Sequence, residues 1–480
     1  MKLEPRTTNE SNRTIVGNRP SLRVAITTLI IAGLILGMSL TRAGDATDAQ
    51  TLMRKVEELE QKVRVLERKS GLEREASVEQ AKSSPVISAS ADGFVIRSAD
   101  TNFVLRIGGY VHADARVYPN SAPGTARETF LLRRARPFFE GTVWGQYDYR
   151  LLLDFPSGSA ASVQEAYVNA RWWREFQVQA GKFKAPVGLE RLQMARNLLF
   201  VERGYATQLV PNRDLGVQLH GDILGERLNY RLGIFNGTAD GASSSDLEAA
   251  DAEKDFAGRL FAEPFRDAQP GVVRGLGIGL GATYGTRKGA PPKFVSPGQQ
   301  TFFGYRSGAG TAAAPNVVAD GPHWRLVPQG YYYHGPFGLY WEYALSNQRL
   351  RRDAGQSLRA ERATTAWQVS ASWFLTGEDN SWKPVRPRHP FSTRGGGWGA
   401  WEVAARIGRL SLDEDRFADF ADPATAARRA TSWGVGLNWH LNKNLKVNLD
   451  FEHTWFSGGT AAVLNRQGED VILTRVQLAF

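Results

Sequence analysis

Cysteine is absent from the 480 residues. Disulfides, thiolate metal sites and a cysteine nucleophile are thereby excluded. Histidine is scarce, seven residues scattered with no HExxH pair, so no metal site is expected. No GxSxG elbow occurs, and the Asp and Glu residues form no obvious acid–base pair. The glycines of Gly275-Leu276-Gly277-Ile278-Gly279-Leu280-Gly281 alternate strictly, without the helix and lysine that a phosphate cradle needs. They read as one face of a strand. No enzyme and no cofactor are expected on these grounds. Long apolar runs are missing too, apart from residues 24–41, which excludes a polytopic helical membrane protein. A transmembrane barrel survives that test, because its strands show lipid only every second side chain. The charge is +10, and +6 once the net +4 of residues 1–43 is set aside. It forms no concentrated basic stripe, so nucleic acid is not an expected partner.

What is present begins with that run. Arg13, Arg19 and Arg23 precede uncharged residues 24–41, and Thr41-Arg42-Ala43 offers a small-x-small site. Residues 1–43 are therefore predicted to be a signal peptide, with an uncleaved anchor as the rival reading. Leu52, Val56, Leu59, Val63 and Leu66 then repeat at spacings of four and three. With Val at a and Leu at d, residues 44–70 are predicted to be a short coiled-coil helix. It covers little more than two heptads, so it needs a partner copy or an attached oligomer. Residues 71–102, polar with Ser83-Ser84-Pro85, read as a linker.

From about residue 103 the period becomes two. In 105–117 the odd positions are Leu105, Ile107, Gly109, Val111, Ala113, Ala115 and Val117; the even ones include Arg106, His112, Asp114 and Arg116. The last residues alternate likewise: Ile472, Thr474, Val476, Leu478 and Phe480 share one face, Arg475 and Gln477 the other. A terminal Phe suits the interfacial aromatic girdle of a closed barrel. About sixteen such segments are predicted, at 104–118, 129–143, 146–155, 163–173, 175–183, 213–223, 227–236, 256–263, 275–285, 325–333, 337–347, 363–375, 398–409, 430–441, 445–456 and 471–480. Long connections, such as 184–212, 286–324 and 348–362, alternate with short ones, such as Trp144-Gly145 and His334-Gly335-Pro336. The sixth short-side connection, 376–397, breaks the rule. An even strand count with long loops at one end and short turns at the other predicts an all-β fold. It is a transmembrane antiparallel β-barrel over 103–480, in outer-membrane lipid.

Seven segments in order now matter: Leu132-Arg133-Arg134-Ala135, Gly188-Leu189-Glu190, Arg213-Asp214-Leu215-Gly216-Val217, Phe235-Asn236-Gly237, Leu375-Thr376-Gly377-Glu378, Gly399-Ala400-Trp401-Glu402 and Asn438-Trp439. Carrying them, the chain resembles the phosphate-selective porin O/P family of Gram-negative outer membranes. The resemblance implies sixteen strands, a homotrimer, and small anions conducted past arginines and lysines. The phosphate-specific members carry an arginine where this chain has Tyr110. Their pore lysines correspond here to Arg196 in the third loop and to Arg349, Arg351 and Arg352 in the sixth. Lysine is a compact point charge and arginine a planar fork, so the exchange alters recognition.

Strand parity suggests which charges face the lumen. An arginine facing lipid at the midplane costs ~2–4 kcal/mol, so Arg106, Arg116, Arg134, Arg136, Arg150 and Arg171 are expected inside. Of these Arg106, Arg134, Arg136 and Arg150, with Arg196, are the candidate anion path. Asp114, Glu140, Asp148 and Asp154 share those walls, and simple cross-lumen pairing is the competing reading. Family resemblance implies that loop 184–212 folds inward as the constriction, bringing Lys184, Arg191, Arg196 and Arg203. A small positive excess at a constriction walled by low-dielectric protein concentrates anions. Two alternatives stay open. One is a general or sugar-conducting porin, for which Tyr110, Tyr118 and Tyr331-Tyr332-Tyr333 would be lumenal platforms. The other is a cell-envelope tether in which the barrel merely anchors the coiled coil.

Overall fold

The computed structural model describes residues 46–120, 128–155, 161–245, 252–269, 271–459 and 466–480. The expected signal peptide lies outside them. The chain divides between Lys82 and Ser83 into two units. The first is a helix, α1 (Ala46–Ser83). Leu52, Leu59, Val63 and Leu66 along its expected seam are exposed, and Lys62 pairs with Glu58 one turn away at 2.6 Å. The helix runs beyond residue 70. The stretch read as a linker holds its last turns and a hairpin, β1 (Val86–Ser90) with β2 (Gly93–Arg97).

The second unit follows from the alternation. Sixteen antiparallel strands close on themselves: β3 (Val104–Val117), β4 (Thr129–Val143), β5 (Tyr147–Asp154), β6 (Ser162–Ala170), β7 (Gln177–Lys184), β8 (Arg213–Ile223), β9 (Leu228–Phe235), β10 (Asp255–Ala262), β11 (Leu276–Gly289), β14 (Asn316–His334), β15 (Phe337–Asp353), β16 (Ser357–Phe374), β17 (Ala400–Leu412), β18 (Arg429–His440), β19 (Leu445–Ser457) and β20 (Glu469–Ala479). β20 pairs with β3 and shuts the wall, so no edge is left open. β12 (Phe294–Val295) and β13 (Thr301–Phe303) form a ribbon within the fifth long loop. The expected apolar face is outside: Val476 and Leu478 are each roughly half exposed, while Arg475 and Gln477, which alternate with them, are buried. Trp144, Trp172, Trp173, Trp373 and Trp398 gather exposed at the short-turn end, as an interfacial girdle requires.

Two departures from expectation bear on the charged residues, beside a β14 that begins at Asn316 rather than 325 and so takes up part of the expected loop 286–324. The sixth long loop shrinks to residues 354–356, because β15 and β16 continue through 348–353 and 357–362. Arg349 stands directly opposite Glu361, and Arg351 reaches Asp320 of β14 at 3.1 Å. Cross-strand ion pairs hold charged sequence in the sheet beyond the membrane. The second difference is in β4. The register with β3 shifts between His112 and Ala113, which leaves Arg133 as the extra residue of a bulge.

Candidate functional site: the lumen and its crossing loop

The third long loop, 185–212, is the core of the barrel. Val187, Leu198, Phe200, Val201, Tyr205, Leu209 and Val210 are at most 3% exposed. Such apolar content is buried only if the loop lies inside, and the wall makes room for it. A Cβ on Gly281 of β11 would press into the Val187 carbonyl, so the strand's inward glycine lets the loop backbone seat on the sheet. Backbone polar groups that would be stranded in that position are met one by one by wall side chains. Glu342 of β15 accepts from Leu189 N at 2.7 Å and Glu190 N at 3.3 Å, at the start of α2 (Leu189–Leu192). Gln329 donates to Val187 O at 2.7 Å, Asn438 to Leu199 O at 3.0 Å, Lys446 to Leu198 O at 2.8 Å and Gln477 to Arg196 O at 3.0 Å. Asp450 accepts from Val201 N at 2.6 Å.

The four cations expected of the loop take different places. Lys184 donates to Leu192 O at 3.2 Å and Gln193 O at 2.7 Å. Arg203 donates to Glu190 O at 3.3 Å and Gln193 O at 2.8 Å. Arg191 donates to Thr207 O. Lys184, the last residue of β7 and not part of the loop, ties the loop to that strand, and the two arginines brace the loop against itself. Arg196 differs: among the described residues no carboxylate lies within ion-pair distance of it, and its guanidinium faces two lumenal cavities of about 620 and 380 Å³. Phe138 of β4 lines both as well. Burial, then repulsion from Arg150, lowers the Arg196 pKa from the ordinary arginine value. An arginine keeps its proton regardless in the physiological range.

The wall arginines that parity assigns to the inner face mostly have carboxylate partners. Arg106 meets Glu140 at 3.1 Å. Arg136 holds Asp154 at 2.6 Å and donates to the Tyr110 hydroxyl at 3.1 Å. Arg150 holds Glu165 at 3.1 Å and also Glu140, with its guanidinium over the Phe138 ring. Arg171 sits at the short-turn rim with Asp148 at 3.5 Å. Arg349, Arg351 and Arg352 are on β15, not in a loop, and pair with Glu361, Asp320 and Asp419.

Arg134 is 4% exposed and lines neither cavity. Its neighbour Arg133 is the residue that parity missed. The bulge turns both inward, and Arg133 Nε reaches Glu202 of the loop at 2.6 Å. Arg116 approaches the same carboxylate at 3.3 Å and Arg475 at 4.0 Å. Arg475 is itself clamped by Asp114 through two 2.7 Å bonds. Four arginines thus surround two carboxylates. Arg134 touches His112 Nδ1 at 3.3 Å, and its Nε has no partner among the described residues. Burial opposes the charge on Glu202, but Arg133, Arg134 and Arg475 outweigh it and hold the carboxyl below its usual range. Ser346, His323 and Asp240 also meet, at 2.9 Å from Ser346 Oγ to His323 Nε2. Asp240 addresses the same Nε2 at 3.4 Å while Nδ1 faces Arg325. A relay needs the acid and the nucleophile on opposite nitrogens, so this group is an anchor for the fourth loop.

A closed barrel, narrowed by an inward loop and lined by an excess of arginine, matches a known pattern. Residues 105–480 match the family described as phosphate-selective porin O and P. The chain belongs to that family. It is an outer-membrane porin of the Gram-negative envelope. Porin O of Pseudomonas aeruginosa is 23% identical over 422 residues, covering 81% of this chain and 91% of that porin. The outer membrane channel DcaP of Acinetobacter baumannii has the same fold, with a TM-score of 0.51 at 10% identity, covering 81% of this chain and 99% of that channel.

Proposed function

We propose that this porin passes small oxyanions, phosphate and polyphosphate among them, by way of Arg196 and the field of Arg106, Arg134, Arg136 and Arg150. The observation that carries the reading is the unpaired guanidinium of Arg196 facing both lumenal cavities. Arg106, Arg136 and Arg150 are neutralised locally by carboxylates, so they shape the field; Arg196 adds net charge where the lumen is narrowed. Its planar fork offers paired donors to an oxyanion, and a single such contact is weak enough to release. A sugar path is less well supported, because the candidate platforms are engaged. Tyr110 accepts from Arg136, Tyr118 donates to Gly298 O at 2.5 Å, and Tyr331 donates to Glu263 at 2.5 Å. The chain works as a homotrimer whose α1 helices associate through the exposed Leu52–Leu66 seam, after export removes residues 1–43. The test is the reversal potential of single channels under a KCl gradient, followed by titration with inorganic phosphate. A cation-selective wild-type channel would end this reading.

A further inference from the structure

The crossing loop meets the barrel wall along an apolar strip. On the wall the strip is one cross-strand row, with Gly108 of β3 opposite Phe138 of β4 and Phe138 opposite Leu152 of β5. Phe138 and Leu152 point inward and are at most 3% exposed. Gly108 makes room for the aromatic ring, because a Cβ there would overlap it. From the loop, Ala195 and Leu198 close onto the row in one buried cluster. The inward neighbours of Phe138 on β4 are Arg136 and Glu140, each ion-paired. The strip therefore interrupts a charged wall, where apolar side chains lend the barrel no contact with lipid.

Its place in the lumen supplies a reason. Phe138 and Arg196 are the two residues that line both the 620 and the 380 Å³ cavity. Leu198 lines the first of these cavities, Leu152 and Ala195 the second. A solute passing from one cavity to the other thus crosses between an apolar ring and a planar cation. The ring is held in place from behind. The Arg150 guanidinium lies 4.9 Å from its centroid and is itself fixed by Glu140 and Glu165. Water at this joint finds few partners. A guanidinium is more weakly hydrated than an ammonium, and an apolar constriction opposes hydrated ions by dewetting. Crossing then costs what leaving water costs, which rises with the charge density of the ion.

We propose that Phe138 is a specificity-determining residue: with Leu152, Ala195 and Leu198 it forms an apolar joint that ranks anions by how readily they shed water. Weakly hydrated monovalent anions, nitrate and thiocyanate, are favoured over chloride, and chloride over fluoride. The inference rests on the anion-channel reading, and the experiment separates the two. The measurement is the reversal potential in planar bilayers with potassium thiocyanate on one side and potassium chloride on the other. The wild-type thiocyanate-to-chloride permeability ratio should exceed the ratio of their mobilities in water by about twofold or more. Phe138→Ser should bring it back to the aqueous ratio, and Phe138→Leu, which stays apolar, should keep it above. Leu198→Ser removes apolar surface from the loop side and should act as Phe138→Ser does, whether or not the latter inserts as a heat-modifiable barrel. A wild-type ratio no higher than the aqueous one would overturn the inference. So would a wild-type ratio in Phe138→Ser or Leu198→Ser, or its loss in Phe138→Leu, while chloride is still preferred over potassium. A wild-type channel that does not prefer chloride over potassium would instead overturn the reading beneath it.

Discussion

Arg133 Nε lies 2.6 Å from Glu202 Oε1, and that contact ties the second barrel strand to the loop that crosses the lumen. It exists because a bulge puts two consecutive arginines on the inner face. Replacing Glu202 by Gln keeps the shape but leaves Arg133, Arg116 and Arg475 facing a neutral amide. Breaking one side of a buried pair costs about 3–5 kcal/mol. The E202Q barrel should still close, since its ladders are untouched, but convert from the folded to the unfolded gel band at a lower temperature. Its single-channel current should be noisier as the loop loosens. A wild-type transition temperature and quiet current would show that the contact contributes nothing.

The same carboxylate sets a pH window. Its folded-state pKa is depressed, so the stabilisation is present above the unfolded value of ~4.3 and is lost as pH falls through the folded value. Current noise in the wild type should therefore stay flat from about pH 8 to about pH 5 and rise only in stronger acid. In E202Q the noise should lack that acid-induced step. A wild-type step near neutral pH would assign the loop's anchoring to some other group.

Most of the barrel was legible because its cause is local. Strand boundaries at 129–143 and 213–223 follow from alternation alone and match β4 and β8. Where partners distant in sequence decide, the reading failed. Arg349–Asp353 looks like loop until Glu361 and Asp320 are placed opposite. Parity assumes an unbroken pleat, and the bulge at Arg133 breaks it. For the crossing loop, charge drew attention to Lys184, Arg191 and Arg203, whose partners turned out to be backbone carbonyls. The better signal was the aperiodic apolar content of 198–210, which has nowhere to be buried except inside the barrel.

The N-terminal helix carries a separate expectation. Leu52, Leu59 and Leu66 are each about 60% exposed on α1, and such a stripe is costly unless helices associate. Deleting residues 50–69 should leave a heat-modifiable barrel with normal single-channel conductance. The oligomer should dissociate at lower detergent or temperature, read by native gels or sedimentation. A deletion that abolishes barrel folding would assign the helix a different role.

Selectivity gives the sharpest contrast, because the loop cations divide by their partners. Arg191 and Arg203 donate to carbonyls within the loop, so R191Q and R203Q should lower the transition temperature with little change in ion preference. Arg196 has no such bond and faces both cavities. R196Q should leave stability near wild type and lower the chloride-to-potassium permeability ratio about two- to fivefold at about 0.1 M salt, fading at about 1 M. Adding R134Q should lower it further only if the buried guanidinium, which lacks a carboxylate of its own, acts on the ion through the field. Phosphate added during chloride conduction completes the comparison. Block in the wild type that weakens in R196Q would place oxyanion binding at Arg196. Anion preference without any block would make the channel anion-selective but not phosphate-specific. An unchanged ratio in R196Q would remove the main support for conduction past that residue.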